Sequence, residues 1–314
     1  MTDKRIIFCG TPDFAAVHLK ALLDNNIIPV AVYTQPDRKK GRGHKTAPSP
    51  VKALALEHNI EVLTPENFKN EDDIKTFESF KADLAIVVAY GVLLPTRVIE
   101  APLHGCVNVH GSLLPKLRGA APIQRSILNG DKETGVCLMK IVKALDAGAV
   151  YVSKSIPIED TDTSLTLFEK LSHLGSKTLL DNLDALLQGT LIPIEQDEAQ
   201  VSYASKLTKD EAHLNFNESA IVIDRKVRGF NPWPIATVKL NDIYYKVFKT
   251  SITNIKSKAI AGSIYGCDKD GILVNTNDFL VRIEILQEPG KGRIKASDFA
   301  RSHSDLIKVG ANFE

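Results

Sequence analysis

Short apolar runs alternating with amphipathic segments over the first 110 residues constrain this chain more than any other feature. "RIIFCG" (5–10), "IIPVAVYT" (27–34), "IEVLTP" (60–65), "LAIVVAY" (84–90) and "GCVNVHG" (105–111) have strand length and are rich in Ile, Val and aromatic residues. Between them the spacing turns helical. In "TPDFAAVHLKALLDNN", Thr11 can cap, Pro12 suits the first helical position, and Ala15, Leu19, Leu22 and Leu23 share one face. "SPVKALALEHN" and "DIKTFESF" read the same way. Strands that are apolar throughout are buried on both faces. The alternation therefore predicts an α/β fold: a doubly wound, mostly parallel sheet of Rossmann type with helices on both faces. Ligands of such sheets bind beyond the carboxyl ends of the strands.

"TSLTLFEKLSHLGSKTLLDNLDALLQG" (163–189) predicts one long amphipathic helix ending at Gly189. The following "TLIPIEQDEAQVSYASKL" lacks helical periodicity and reads as an extended linker. Past residue 207 a short helix at Ile221–Val227 precedes "ATVKL", "YYKVFKTSIT", "AGSIYGCD", "GILVNT" and "FLVRIEILQEP". Short strands between Asn, Asp and Gly turns predict a small OB-like β-barrel. The expected division is a first domain over 1–189, a linker over 190–206 and a C-terminal barrel over 207–314.

Composition narrows the function classes. The 314 residues are 44% hydrophobic and 25% charged, with a net charge of +1, so any anion binding must come from local charge. The longest apolar run, Leu84–Leu94, is too short to span a bilayer, and the start "MTDKRIIFCGTPDF" lacks a signal-type apolar region and cleavage site. A reducing cytoplasm is the expected setting for the four scattered cysteines, which form no C-x-x-C pair and argue against zinc and a disulfide framework alike. "GTPDF" after the first strand is not G-x-G-x-x-G, which argues against a dinucleotide cofactor.

The chemistry concentrates in "VNVHGSLLPKLRGAAP" (107–122). In a strand, Asn108 and His110 project to one face while Val107 and Val109 anchor the other. An amide can stabilise a developing oxyanion and an imidazole can move a proton near neutral pH. A core histidine and a turn-capping asparagine would fit the spacing equally. Gly111 lets a ligand approach the backbone, and Ser112–Pro115 makes a shaped loop just beyond the pair. Asp146, in "VCLMKIVKALDAGAVY", follows the strand Val136–Ile141; beside His110 its carboxylate would favour imidazolium, and alone it is an ordinary turn residue. "TQPDRKKGRGHKTAPSP" (34–50) carries Arg38, Lys39, Lys40, Arg42 and Lys45 against Asp37, with two glycines and three prolines that deny it a helix. It reads as a long basic loop at the same sheet edge, suited to ordering on phosphates.

"GTPDFA" (10–15), "NVHGSLLPKLRGAAP" (108–122), "ALDAG" (144–148), "FNPWP" (230–234) and the basic stretch 38–45 together resemble the methionyl-tRNA formyltransferases over nearly the whole chain. The resemblance implies transfer of a formyl group from 10-formyltetrahydrofolate, as co-substrate and without a metal, to methionine on initiator tRNA, in a monomeric enzyme of translation initiation. It implies that Asn108, His110 and Asp146 are the catalytic trio. It implies that folate uses main-chain groups at Val88, Ala89, Tyr90 and Gly91 and at Ser112, Leu113, Leu114 and Pro115. It implies tRNA contacts by the basic loop, with Arg42 the foremost. In the C-terminal part, with 16 Lys and Arg against 13 Asp and Glu, Lys206, Lys209, Arg225, Arg228, Lys291 and Arg293 are expected phosphate contacts. Trp233 is expected to fix packing rather than stack on a base. Lys143, Ala144 and Ala149 beside Asp146, and Ser205 in the linker, depart from the usual pattern. Which group acts as base stays open, as do a nucleotide-sugar or small-molecule acceptor, a formyl-folate hydrolase and a non-catalytic RNA-binding protein.

Overall fold

The computed structural model describes residues 4–40 and 45–314. The chain divides into two compact units. One comprises Met1–Pro122, Glu133–Pro157 and Phe168–Ala204; the other comprises Ile123–Lys132, Ile158–Leu167 and Ser205–Glu314.

The elements up to residue 110 are β1 (Ile6–Gly10), α1 (Asp13–Asp24), β2 (Ala31–Tyr33), β3 (Arg38–Lys40), β4 (Lys45–Ala47), α2 (Pro50–Glu57), β5 (Val62–Leu63), α3 (Glu71–Ser79), β6 (Leu84–Val88), α4 (Thr96–Glu100) and β7 (Cys106–His110). There follow β8 (Arg118–Gly119), α5 (Pro122–Asn129), β9 (Glu133–Lys140), β10 (Val150–Pro157), α6 (Ser164–Gln188) and β11 (Tyr203–Ala204). Seven strands make one sheet in the order β10-β9-β7-β6-β1-β2-β5. β5, β2, β1, β6 and β7 are parallel, and β9 and β10 continue the sheet antiparallel. The mostly parallel sheet expected from the alternation is present. β1 and β6 are buried at every position, as two-sided burial requires.

Local chemistry departs from expectation at three places. Thr11 does not cap α1, whose N-cap is Pro12 without a side-chain bond; the Thr11 hydroxyl donates instead to the Tyr90 carbonyl at 2.9 Å, tying the turn after β1 to the turn after β6. The basic stretch is not an open loop: β3 and β4 pair antiparallel, Arg38 with Ala47 and Lys40 with Lys45. The alternating backbone hydrogen bonds of a hairpin need neither helix propensity nor an apolar face. The stretch 190–204 is not a free linker. Ile194 bridges Val150, and β11 pairs with β8 in parallel.

In the second unit, α7 (Ala220–Gly229) precedes β12 (Ala236–Leu240), β13 (Ile243–Lys256), β14 (Ile264–Cys267), β15 (Ile272–Val274), β16 (Phe279–Gln287), β17 (Arg293–Lys295) and α8 (Ala296–Ser302). The strands form an antiparallel sheet in the order β12-β13-β16-β15-β14, with β17 on β16. The C-terminal tail bridges its two ends. Lys239 and Glu314 exchange main-chain bonds of 3.0 and 2.8 Å, while Ile264 bonds Ala311 and Gly310 at 2.8 and 2.9 Å. The curled sheet closes on the tail around Val238, Val247, Val274, Val281, Ile283 and Phe299.

Behind β7 the first unit holds a buried histidine. His18 of α1 is fully buried, with Nδ1 2.7 Å from the Phe14 carbonyl and Nε2 without a partner among the described residues. A Cβ on Gly175 of α6 would lie 2.6 Å from that Nε2 and 3.1 Å from Val109 Cγ1, so α1, α6 and β7 meet here only because residue 175 is glycine. Burial pulls the His18 pKa down to about 4, the Phe14 carbonyl opposing and His173 assisting. The folded chain therefore holds fewer protons than the unfolded one between pH 6.5 and about 4. Its contribution, about 3 kcal/mol by linkage, is complete above pH 6.5 and lost as pH falls through that window. Urea unfolding at pH 7 and pH 4.5 should show His18→Gln with the flatter pH dependence; equal slopes for the two proteins would contradict the assignment.

Candidate active site

The site begins with register. β7 lies between β6, where Val87 is level with Asn108, and β9, where Met139 is level with Asn108 and Cys137 with His110. Val107 and Val109 are buried at 0 and 2% exposure and anchor the strand, as alternation requires. Asn108 is half-buried, and its amide makes no side-chain hydrogen bond among the described residues. His110 is 5% exposed.

Asp146 reaches this pair by an unexpected route. Because β9 runs against β7, it ends at Lys140 opposite Val107, toward the start of β7. A loop leaving that end would carry Asp146 away from His110. The loop instead doubles back. Ile141 donates to the Cys106 carbonyl at 2.8 Å, and Gly148 returns so close that a Cβ there would lie 1.8 Å from the Lys140 carbonyl oxygen. Asp146 sits at the crest with φ of 49°, a left-handed conformation that aspartate tolerates better than most residues. Its Oδ2 accepts from the Gly119 amide at 2.8 Å and lies 3.8 Å from His110 Nδ1.

The ring's other nitrogen, Nε2, is 3.2 Å from the Leu117 carbonyl. A carbonyl only accepts, so Nε2 carries the proton and Nδ1 is the basic lone pair that faces the carboxylate. Burial lowers the His110 pKa below its ordinary value, outweighing the Asp146 carboxylate and the Leu117 carbonyl, which both raise it. The ring is neutral at pH 7 and poised to take one proton, with an anion waiting to stabilise the imidazolium.

Val88–Gly91 continue β6 past the level of Asn108. Ala89 and Gly91 are exposed, with φ of 44 and 76°. The expected free main chain is only partly present. The Tyr90 carbonyl already accepts from Thr11 and, at 3.0 Å, from Gln35 Nε2, and the Tyr90 ring is buried in the core. Ser112 Oγ donates to the Lys116 carbonyl at 2.7 Å, and the Leu114 amide donates to Cys137 Sγ at 3.4 Å, fixing the loop that carries the half-buried Leu113, Leu114 and Pro115.

Of the expected phosphate contacts, Arg38 is exposed at the base of the β3–β4 hairpin, near Asp37, which pairs with Lys52 at 2.8 Å. Lys39, Lys40 and Lys45 fall on the hairpin strands, and Arg42 lies outside the described residues. In the second unit Lys206 and Lys209 are exposed. Arg225 lies across Gly130, where a Cβ would meet its guanidinium carbon at 2.2 Å. Lys291 pairs with Glu288 at 2.9 Å, and the Arg293 guanidinium sits 3.9 Å over the Phe248 ring. Arg228 is a correction. Its side chain is only 13% exposed, paired with Asp224 at 2.8 Å and donating to the Asp162 carbonyl at 2.9 Å, because its place one turn after Asp224 aims it inward. Trp233 is another, since it is 48% exposed rather than packed away.

Sequence reasoning missed Gln196, Arg118 and the Gly119 amide. Arg118 and Gly119 stand in the quoted "KLRGAAP", but nothing in their spacing with Asp146 betrays the contact; Gln196 lies in a stretch without periodicity.

Residues 4–183 match the formyl transferase family, and residues 206–304 match the formyl transferase C-terminal domain. The chain belongs to the formyltransferase family. Solved structures share the fold. WlaRD, a sugar 3N-formyltransferase determined in the presence of dTDP and 5-N-formyl-THF, is 20% identical with a TM-score of 0.66, over 92% of this chain and 99% of that one. The N-formyltransferase of Helicobacter canadensis, in complex with folinic acid and dTDP-3-aminofucose, is 21% identical with a TM-score of 0.66, over 89% and 98%. HypX of Aquifex aeolicus, in complex with tetrahydrofolic acid, is 18% identical with a TM-score of 0.61, over 97% of this chain and 47% of that one.

Gly148→Ala tests the doubled-back loop. A methyl group cannot fit against the Lys140 carbonyl, so the crest must shift and carry Asp146 with it. Formyl transfer should fall roughly 100-fold, the scale of a 1 Å misplacement, while far-UV circular dichroism stays native. Unchanged activity would show that Asp146 does not depend on this closure.

Proposed function

We propose that this chain transfers the formyl group of 10-formyltetrahydrofolate to the amino group of methionine on initiator methionyl-tRNA, in the cytoplasm. One observation carries the reading: a buried histidine at the end of β7 faces a carboxylate 3.8 Å away, two residues along the same strand from Asn108, on the sheet side where β2 leads into a hairpin of basic residues. The folate would lie along Val88–Gly91 and Ser112–Pro115, whose exposed turn and fixed loop flank Asn108 and His110.

The attacking amine is neutral, and its lone pair forms the new C–N bond at the formyl carbon. The carbonyl electrons move onto oxygen, and the Asn108 amide donates to that oxyanion. His110 Nδ1 takes the proton the amine sheds, and Asp146 stabilises the imidazolium. Collapse breaks the bond to folate N10, which leaves with a proton returned by the pair, so tetrahydrofolate departs and His110 is neutral again. A buried site strengthens each of these interactions.

For the acceptor, the five bases of residues 38–45 argue for nucleic acid in a chain whose net charge is only +1. The catalytic domain is proposed to end near residue 204, and the C-terminal unit to bind tRNA through Lys206, Lys209, Lys291 and Arg293. The second reading, an amino sugar carried on a nucleotide, draws on the two enzymes that share the fold and were determined with dTDP and with dTDP-3-aminofucose.

Asn108→Ala and His110→Ala should each cut formyl transfer by roughly 100-fold or more, with folding and tRNA affinity little changed. Equal loss of folding would return both residues to the core. The acceptor is decided by offering methionyl initiator tRNA, free methionine and a dTDP-amino sugar in parallel. Formylation of the tRNA alone, weakened by Arg42→Ala, is expected; turnover of the sugar alone would reject the tRNA reading. Since the His110 pKa lies below the ordinary histidine value, kcat should be flat through neutral pH and fall only on the acid side of that value. A limb rising above pH 7 instead would remove His110 as base.

A further inference from the structure

Resting on the catalytic reading of Asp146, we infer that the segment Ile194–Ala204 is a strap that positions the catalytic carboxylate, with Gln196 as its positioning residue. The strap is bonded on both sides of the site. Toward the Asp146 loop, Ile194 exchanges main-chain bonds of 2.8 and 2.9 Å with Val150. Gln196 then reaches under the crest: its Nε2 donates to the carbonyls of Asp146 at 2.7 Å and Gly148 at 2.8 Å. Toward the other wall, Ser202 Oγ accepts from the Leu117 amide at 3.0 Å, and the Ser202 carbonyl accepts from the Arg118 amide at 2.9 Å. Tyr203 and Ala204 pair with Arg118 and Gly119.

These two walls carry the groups that face His110. Leu117 offers the carbonyl to Nε2, Gly119 holds the Asp146 carboxylate, and the Asp146 loop supplies the carboxylate itself. One short segment thus sets the separation of the imidazole from its anion. A Cβ on Gly119 would lie 2.8 Å from the Ala204 carbonyl oxygen, so the strap sits as close to that wall as backbone allows.

Arg118 fixes which way the Gln196 amide points. Its Nε donates to Gln196 Oε1 at 3.0 Å, and its Nη2 to Glu198 Oε1 at 2.8 Å. A guanidinium only donates, so it selects the amide oxygen and leaves both amide protons for the two loop carbonyls. Arg118 is 3% exposed, and its charge is answered by Glu198. The chain Glu198–Arg118–Gln196 ends on the main-chain carbonyl of Asp146, so it acts on the carboxylate only through the backbone that carries it.

Gln196→Met keeps the volume and removes both donors without adding charge. The ionisable groups around the His110 ring are Asp146 from the β9–β10 loop, Cys137 level with it on β9, and Arg118 on β8, which is turned to Gln196 and Glu198. Loosening the crest withdraws only the first. Gln196→Met should therefore lower kcat ~10- to 100-fold, by misplacing a catalytic group, with KM for 10-formyltetrahydrofolate within about twofold. It should also move the His110 titration to lower pH, read by NMR of the imidazole and assigned with His110→Gln. Asp146→Asn should shift the titration the same way and further. Arg118→Met combined with Gln196→Met should cost no more than the worse single change. The NMR titration needs no acceptor, so it stands whichever amine is formylated. A Gln196→Met protein with wild-type kcat, or one whose kcat falls while His110 titrates unchanged, overturns the positioning role. An Asp146→Asn protein with full activity overturns the catalytic reading itself, and the strap's role with it.

Discussion

Everything at this site depends on where one carboxylate is held. Asp146 does not touch His110 closely; at 3.8 Å it influences the ring through charge rather than a short hydrogen bond. Its nearest donor is the Gly119 amide at 2.8 Å, which keeps an oxygen satisfied without neutralising it. That arrangement leaves the anion free to answer a proton arriving on the ring. A shorter contact would stabilise imidazolium in the resting site and remove the base. A longer one would leave burial unopposed and make the ring too weak to take the proton. The separation is therefore the tuned quantity, and it is set by backbone: the crest at Asp146, the close return at Gly148, and the strap that binds both walls.

How much of this could be read in advance follows from how local each signal is. The parallel sheet was legible because two-sided burial writes continuous apolar strands such as "LAIVV" and "IIFCG". The barrel strands were legible because half-buried strands alternate between clear turn residues, as in β12 with its buried Ala236, Val238 and Leu240. That Asn108 and His110 share a face follows from strand period; the role proposed for them needed the family resemblance. Asp146 needed the family resemblance, since the antiparallel course of β9 would by itself send the chain the wrong way. The strap was illegible for a physical reason. It is held by main-chain bonds and a few polar side chains, which leave no hydrophobic period, and its partners lie 44 (Ile194 to Val150) to 87 (Ser202 to Pro115) residues away. Arg228 failed in the opposite direction: an exposed-looking base in "DRKVRG" lies one helical turn from Asp224 and turns inward to meet it.

The same contrast bears on the acceptor. The proposed reacting groups sit on sheet and loop, where register and main-chain bonds fix them, and on that proposal a change of acceptor leaves their work unaltered: any neutral amine presented to the formyl carbon would meet the same amide, ring and anion. On the proposed reading, what distinguishes one acceptor from another is the local charge of residues 38–45. Chemistry and recognition are thus separable in this chain. The family match over residues 4–183 supports formyl transfer, and the proposed acceptor rests on the charge of residues 38–45. Reversing those charges should change which amine is formylated while leaving the titration of His110 where it is, because the groups that hold the ring and the crest, the Leu117 carbonyl, the Gly119 amide and Gln196, all come from other segments.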